Sequence, residues 1–220
     1  MKNTYKITFN MNTSIAFIEP PTFDGVLSYA HAREMLPGQE FMQKLNIEES
    51  EILDFSGMPL VMHRDGYFVA SRMFYDDSAA IEDTQRWRKR WEHKHDAMAD
   101  FRGHVKKVRI NAGEFKSYDV PLQVVNIDQA WFYFQSENIG DVQRLVEKRI
   151  YFLGKKRSQG YGEIASFTIE ESEFDFSTTY RPIPVAESRV AGLIRQGVKV
   201  QYTGWRPPYW LPRNHAYCVV

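Results

Sequence analysis

From Tyr5 to Met11 the chain alternates, with Tyr5, Ile7, Phe9 and Met11 separated by Lys6, Thr8 and Asn10. This period of two predicts a strand with one buried face. Pro20 and Pro21 break the pattern. From Thr22 onward Phe23, Val26, Leu27 and Ala30 recur at helical spacing, with Thr22 placed to cap the helix and Pro37-Gly38 to end it. Leu60 to His63 and Tyr67 to Met73 flank Arg64-Asp65-Gly66, a hairpin turn in which Asp-Gly supplies the positive-φ positions. Asp77 to Phe101 is polar and charged and reads as a helical insertion projecting from the sheet. Lys106 to Ile110, Phe115 to Val125 and Ala130 to Gln135 read as further strands. Ile139, Val142, Leu145, Val146 and Ile150 form the apolar stripe of a second helix that ends at Gly154. Glu163 to Ile169 reads as a last strand with imperfect alternation. Beyond Pro182 the chain is rich in Pro and Trp, notably Trp205-Arg206-Pro207-Pro208-Tyr209-Trp210. That composition predicts an irregular tail held down by aromatic burial.

The order strand, helix, paired strands, helix, strand is the α+β, ferredoxin-like (RRM-like) plan. It predicts a domain over residues 1–180, with the insertion at about 77–101 inside it and a C-terminal extension, 181–220, packed on the same domain. A length of 220 residues and 43% hydrophobic content suit one large domain with a real core. The longest apolar stretch, Ala130 to Phe134, is far short of a membrane span, and Met1 to Lys6 lacks an apolar signal-peptide run. These features predict a cytoplasmic protein. Cys218 is the single cysteine, which excludes an internal disulfide and a multi-cysteine zinc site.

Lys plus Arg and Asp plus Glu each total 28, so the formal charge is zero. That balance excludes a disordered acidic chain and a uniformly basic coating protein. The charges are nonetheless segregated. Basic runs occur at Arg86, Arg88, Lys89, Arg90 and Lys94, at Arg102, Lys106, Lys107 and Arg109, and at Lys148, Arg149, Lys155, Lys156 and Arg157. Acidic runs occur at Glu48, Glu49, Glu51 and Asp54, at Asp76, Asp77, Glu82 and Asp83, and at Glu170, Glu171, Glu173 and Asp175. Two arrangements are compatible with this pattern: one basic face that attracts polyanions, or basic runs that pair with acidic ones on folding. Within the insertion, Trp87 and Trp91 alternate with Arg86, Arg88 and Arg90 at a spacing that puts both indoles on one side of a helix. Such a side could stack on bases, dock on a neighbouring protein, or pack on the domain's own core.

The richest motif closes the second helix: Leu153-Gly154-Lys155-Lys156-Arg157-Ser158-Gln159-Gly160-Tyr161-Gly162-Glu163-Ile164. Its glycines permit close backbone approach, its three cations suit a sugar-phosphate backbone, and its N–H groups could form an anion-binding nest. A tight connection with solvated lysines is the plainer reading of the same residues. Walker A is absent, since no Gly-Lys-Ser or Gly-Lys-Thr occurs.

Gly154, Arg157, Gly160 and Gly162, set between an amphipathic helix and a final strand, resemble the glycine-rich loop of the RAMP superfamily of CRISPR-associated proteins. The opening strand Ile7-Thr8-Phe9 followed by Pro21 to Ala30 is similar to the start of the fifth Cas family, in particular the small subunit of type IV CRISPR effectors. The ending, Gly204 to Trp210 with Ala216-Tyr217-Cys218, resembles the same subunit. The resemblance implies a non-catalytic, cofactor-free subunit that caps the 5′ handle of the CRISPR RNA and contacts a repeated backbone subunit and the large subunit. It implies that Gly154, Lys155, Lys156, Arg157, Ser158, Gln159, Gly160 and Tyr161 line the handle. It places the insertion, with Arg86, Trp87, Arg88, Lys89, Arg90 and Trp91, where a thumb would touch RNA, target DNA or a neighbouring subunit.

One branch of that family cuts precursor RNA without metal, which needs a base at the 2′-hydroxyl and a cation or acid at the phosphate. Tyr29, His31 and Arg33 lie near the end of the first helix and are candidates for RNA contact. Tyr29 and Arg33 can share a face, whereas His31, about 200° around the helix from Tyr29, does not readily join them. His93-Lys94-His95-Asp96 has two histidines but no evident third metal ligand, and His63 and His104 are isolated. No Ser-His-Asp or Cys-His arrangement stands out. A metal-independent endoribonuclease and a stand-alone RRM-like module are therefore the competing functions. The second would carry aromatic motifs on its central strands, and here the glycines cluster on a loop instead.

Overall fold

The alternation at the amino terminus builds the centre of the molecule. A computed structural model describes residues 3–36, 53–98, 100, 108–111 and 116–220. Strand β1 (Asn3–Met11) buries Tyr5, Ile7 and Phe9 and exposes the edges of the residues between them. It lies between β5 (Gln129–Ser136) and β6 (Ile164–Glu171), antiparallel to both, with Ile7 opposite Phe132 and Ile169. A register shift between Asn10 and Met11 leaves Ala165 unpaired, a bulge that moves Ile164 onto the face of Phe167 and Ile169. The imperfect alternation of this last strand is that bulge.

Along the free edge of β5 runs the 68–75 segment. Val69 accepts from the Gln135 amide, Ser71 donates to Tyr133, and Phe74 and Trp131 exchange both backbone bonds. Three residues here oppose two on β5, and Ser71 Oγ takes the Tyr133 amide at 2.9 Å in place of a backbone carbonyl. The expected hairpin around Arg64-Asp65-Gly66 is present as a turn, closed by His63 and Tyr67, but only Gly66 has positive φ. Its arms form isolated bridges rather than a ladder, Met62 opposite Phe68.

Two helices cover one face of this sheet. Helix α1 (Phe23–Met35) buries Phe23, Leu27, Ala30 and Ala32, and α2 (Ile139–Arg149) buries Val142, Leu145 and Val146. Phe23 sits 4.7 Å from Phe134 and 5.4 Å from Phe132, ring to ring. Each such fully buried side chain stabilises the fold by roughly 1.5–3 kcal/mol. Asn138 caps α2, accepting from the Asp141 amide at 3.2 Å. Thr22 precedes α1 in extended conformation, yet its hydroxyl donates to Tyr209 rather than capping the helix.

The polar insertion is a correction to the helical expectation. Residues 81–89 form β3 (Ile81–Lys89), paired antiparallel with β4 (Tyr118–Asn126), and among the described residues of the insertion only 93–98 coil into a short 3-10 turn. The base of this hairpin is fixed by β2 (Ile15–Ala16), which pairs with Val124 and Val125. Val108 to Ile110 are not in a strand. Pro37-Gly38, Glu48, Glu49, Glu51, Phe101, Arg102, His104, Lys106, Lys107 and Phe115 lie outside the described residues.

The carboxyl-terminal tail is likewise ordered rather than irregular. Strands β7 (Ile183–Pro184), β8 (Val200–Gly204) and β9 (His215–Val219) form a sheet with β9 central, and α3 (Glu187–Arg195) links the first two. Its anchor is Arg181. This side chain is fully buried, with Nη1 donating to Phe68 and Ala70 carbonyls and Nη2 to Trp205 O (2.9 Å) and Asp24 Oδ2 (3.3 Å). Tyr209 donates to the same Asp24 carboxylate at 2.9 Å. Burial, reinforced by Asp24, pushes the Tyr209 phenol well above its ordinary range, so the donor proton is kept. Among the described residues no helix is long and apolar enough to cross a membrane.

Candidate nucleic-acid interface

The end of α2 delivers the chain into the glycine-rich loop. Leu153 is buried, Gly154 packs against the Ala16 carbonyl, and the Lys155 amide donates to that carbonyl at 2.7 Å. Arg157–Gln159 make a single 3-10 turn, entered through Lys156 at φ +60° and left through Gly160 at φ +84°. Gly162 then closes the loop: its amide donates to Ser14 O and its carbonyl accepts from Leu153, both at 2.8 Å. A Cβ on Gly162 would lie 1.8 Å from the Leu153 carbonyl oxygen, so no other residue fits. Thr13 completes the frame, donating to Gly160 O at 2.7 Å and accepting from Glu163 N at 2.9 Å. The β1–β2 connection, Thr13-Ser14, therefore holds a loop nearly 150 positions away in sequence, a role for which the only sequence signal is a pair of small hydroxyl residues after a strand.

The loop gathers two aromatic residues from separate elements. Arg157 lies over the Tyr29 ring of α1 at 4.3 Å, and Lys156 lies over the Trp87 indole of β3 at 4.4 Å. Tyr161 donates to the Gln85 side chain, one strand position pair from Trp87 on the same face of β3. Trp87 itself donates to the Tyr118 hydroxyl and stacks on that ring. Gln85 and Tyr118 were not distinguishable from sequence, because the pairing that aligns them is long-range. Between loop and helix lies an open cleft of about 260 Å³, with Phe17, Ile150 and Phe152 beside Gly154, Lys155, Arg157 and Tyr29. Arg33 sits half-buried one turn further along α1 on the Tyr29 side.

Charge divides between the two readings the sequence left open. On the hairpin, Arg86 and Arg88 share Asp119 at 2.9 and 3.2 Å, and Arg90 and Lys94 share Glu92 at 3.7 and 2.6 Å. These pairs hold the Asp119 and Glu92 carboxyls below their ordinary range, chiefly through hydrogen bonds from Arg86 and Lys94. Lys89 ends the strand. At the loop, by contrast, no carboxylate among the described residues pairs with Lys155, Lys156 or Arg157. Ser158 and Gln159 are exposed beside them. The result is a local positive surface with aromatic neighbours, which can hold a phosphate and stack a base.

One expected association, that of the two indoles, does not form, and His31 stays apart from Tyr29 as its place on the helix predicts. Trp91 is not on a common helical side with Trp87; it follows the end of β3, donates to Asp96 Oδ1 at 2.7 Å and meets the His95 ring edge-on. His31 points to the 53–58 segment, its ring 6.2 Å from Phe55 and close to Gly57, so it does not join Tyr29 at the loop. Burial pushes the Cys218 thiol up to about 11, which disfavours a nucleophilic thiolate. Among the described residues no group of three or more His, Cys, Asp or Glu is placed to hold a metal ion. No protein-family model matches the chain, and a search of curated proteins returns no match.

Proposed function

We propose that this chain is a non-catalytic RNA-binding subunit of a type IV CRISPR effector ribonucleoprotein, acting in the cytoplasm and gripping the 5′ handle of the CRISPR RNA with residues 154–161. The observation that carries the reading is the loop itself: three cations without carboxylate partners among the described residues, two of them stacked on Tyr29 and Trp87, around an open cleft. A ferredoxin-like plan underlies it. Supporting that plan, β6, β1, β5 and the 68–75 segment lie in this order with α1 and α2 on one face.

In this reading the β3–β4 hairpin takes the place of the thumb, and its paired arginines face the guide, target DNA or a neighbouring backbone or large subunit. A non-catalytic role is supported by His31, the nearest general-base candidate on α1, which is turned to the 53–58 segment. The test is incubation of the full chain with synthetic repeat RNA in EDTA. The expected result is tight binding of handle-bearing RNA with no strand scission. Specific cuts abolished by His31→Ala would replace the proposal with a metal-independent endoribonuclease, and equal binding of unrelated RNA would replace it with a general RNA-binding module.

A further inference from the structure

The face of the central sheet turned away from α1 and α2 carries a second surface, built from the acidic runs that the RNA reading does not use. Alternation on β5 places Phe132 and Phe134 in the core and Trp131 and Tyr133 on the opposite side. Rings join there in an unbroken strip. Phe74 lies parallel to Trp131 at 6.3 Å and edge-on to Tyr133 at 5.5 Å, Tyr180 packs 5.5 Å from Phe74, and Phe176 meets Tyr133 at 5.2 Å. Phe176 and Tyr180 remain 43% and 66% exposed. An uncovered aromatic strip of this kind marks an interaction surface rather than a solvated face.

Carboxylates border the strip at both ends. Asp76 and Asp128 line an open cleft of about 640 Å³ that Trp131 also lines. At the other end Glu170 lies in the same row of the sheet as Lys6 and Tyr133, and Asp175 accepts from the Gln135 side-chain amide at 2.8 Å from a position beside Phe176. Lys6, which lies over Trp131, is paired with Glu170 at 3.8 Å. The border is thus net negative.

We propose that this face docks an extended, arginine-bearing segment of a partner protein. A guanidinium can stack flat on Phe74, Tyr133 or Phe176 and at the same time fork onto a neighbouring carboxylate, a combination that a lysine ammonium does not match. The carboxylate border repels phosphates, which sets this face apart from a base-stacking sheet. The proposal is independent of the RNA reading, because none of these residues belongs to the loop.

The test is fluorescence anisotropy of a labelled Arg-Gly-Gly repeat peptide with the nuclease-treated full chain, alongside a Lys-Gly-Gly peptide of equal length and an oligouridine. The arginine peptide should bind about fivefold or more tighter than the lysine peptide. Phe176→Ala with Tyr180→Ala should weaken it about tenfold. Because both rings are exposed, this variant should keep the circular dichroism spectrum of the parent. Glu170→Gln with Asp175→Asn, which removes both charges and leaves one acceptor oxygen at each position, should weaken binding to a similar degree, and neutralising Lys155, Lys156 and Arg157 should leave it unchanged. Equal binding of the two peptides, or binding indifferent to the ring variant, would overturn the proposal. Oligouridine binding lost with the ring variant would make the face a nucleic-acid platform instead. Self-association lost with the same variant would make its occupant a second copy of the chain.

Discussion

The guanidinium of Arg157 rests 4.3 Å above the ring of Tyr29, so the glycine-rich loop and helix α1 share one surface. Replacing Lys155, Lys156 and Arg157 together with Ala should weaken RNA binding while leaving the melting temperature almost unchanged, because these cations pair with no carboxylate among the described residues. For a single strand, each lost phosphate contact lowers the salt slope by about 0.7, so the slope should fall by about 2. Titrations of handle RNA at several salt concentrations check this. A variant with the parental slope would remove the loop from the interface.

Two glycines of the loop should respond differently to the same change. Gly162→Ala drives a Cβ into the Leu153 carbonyl at φ +76°, whereas Gly160→Ala meets open space at φ +84°. The first should cost about 3 kcal/mol or more and the second about 1–2 kcal/mol, the left-handed conformation alone. Urea unfolding measures both, and equal losses would show that the loop does not pack as described.

Arg181 and Asp24 are a fully shielded ion pair at 3.3 Å that ties the C-terminal sheet to the start of α1. Arg181→Met should destabilise the protein by about 3–5 kcal/mol, since it leaves the Asp24 charge buried with fewer donors. Adding Asp24→Leu should recover part of that loss rather than deepen it. A double-mutant cycle by chemical denaturation tests this, and simple additivity of the two losses would contradict it.

Glu34 joins α1 to α2 by accepting from Arg144 Nη1 at 2.7 Å and Lys148 Nζ at 3.1 Å. The Arg144 hydrogen bond, supported by Lys148 and opposed by partial burial, holds its carboxyl below the ordinary value of 4.5. A carboxyl lowered in the folded state stabilises fully above its unfolded value and loses that contribution as pH falls through the folded one. Glu34→Gln should therefore cost about 0.5 kcal/mol at neutral pH and nothing once the carboxyl is protonated. Thermal melts of both proteins across the acid range check this; a difference that persists in strong acid would contradict it.

The elements legible in the sequence are those with one buried face. Strands β1 and β5 and helix α2 announce themselves because water on one side and core on the other impose a period. The hairpin does not, since β3 is exposed on both faces apart from Trp87, and polar residues without alternation read equally as helix. The spacing of Trp87 and Trp91 coincides with a helical turn, yet pairing with Tyr118–Asn126 decides the conformation. At the site, Gly154 to Tyr161 was visible as a motif, and Tyr29 and Trp87 as separate candidates. Their convergence depends on β2 bridging hairpin and loop, through pairings at Val124 and at Lys155. Arg181 reads as one more surface arginine, because its partner lies 157 positions away. The short strands of the tail, interrupted by proline, carry too few residues for any period to show.

The most direct test of the RNA-subunit account is to purify the chain from its native host, sequence the RNA that accompanies it, and identify the accompanying proteins by mass spectrometry. The account predicts short RNAs that share one repeat-derived 5′ handle, together with a backbone subunit present in several copies. Protein recovered free of RNA and partners, or bound to RNAs with no common 5′ end, would contradict it.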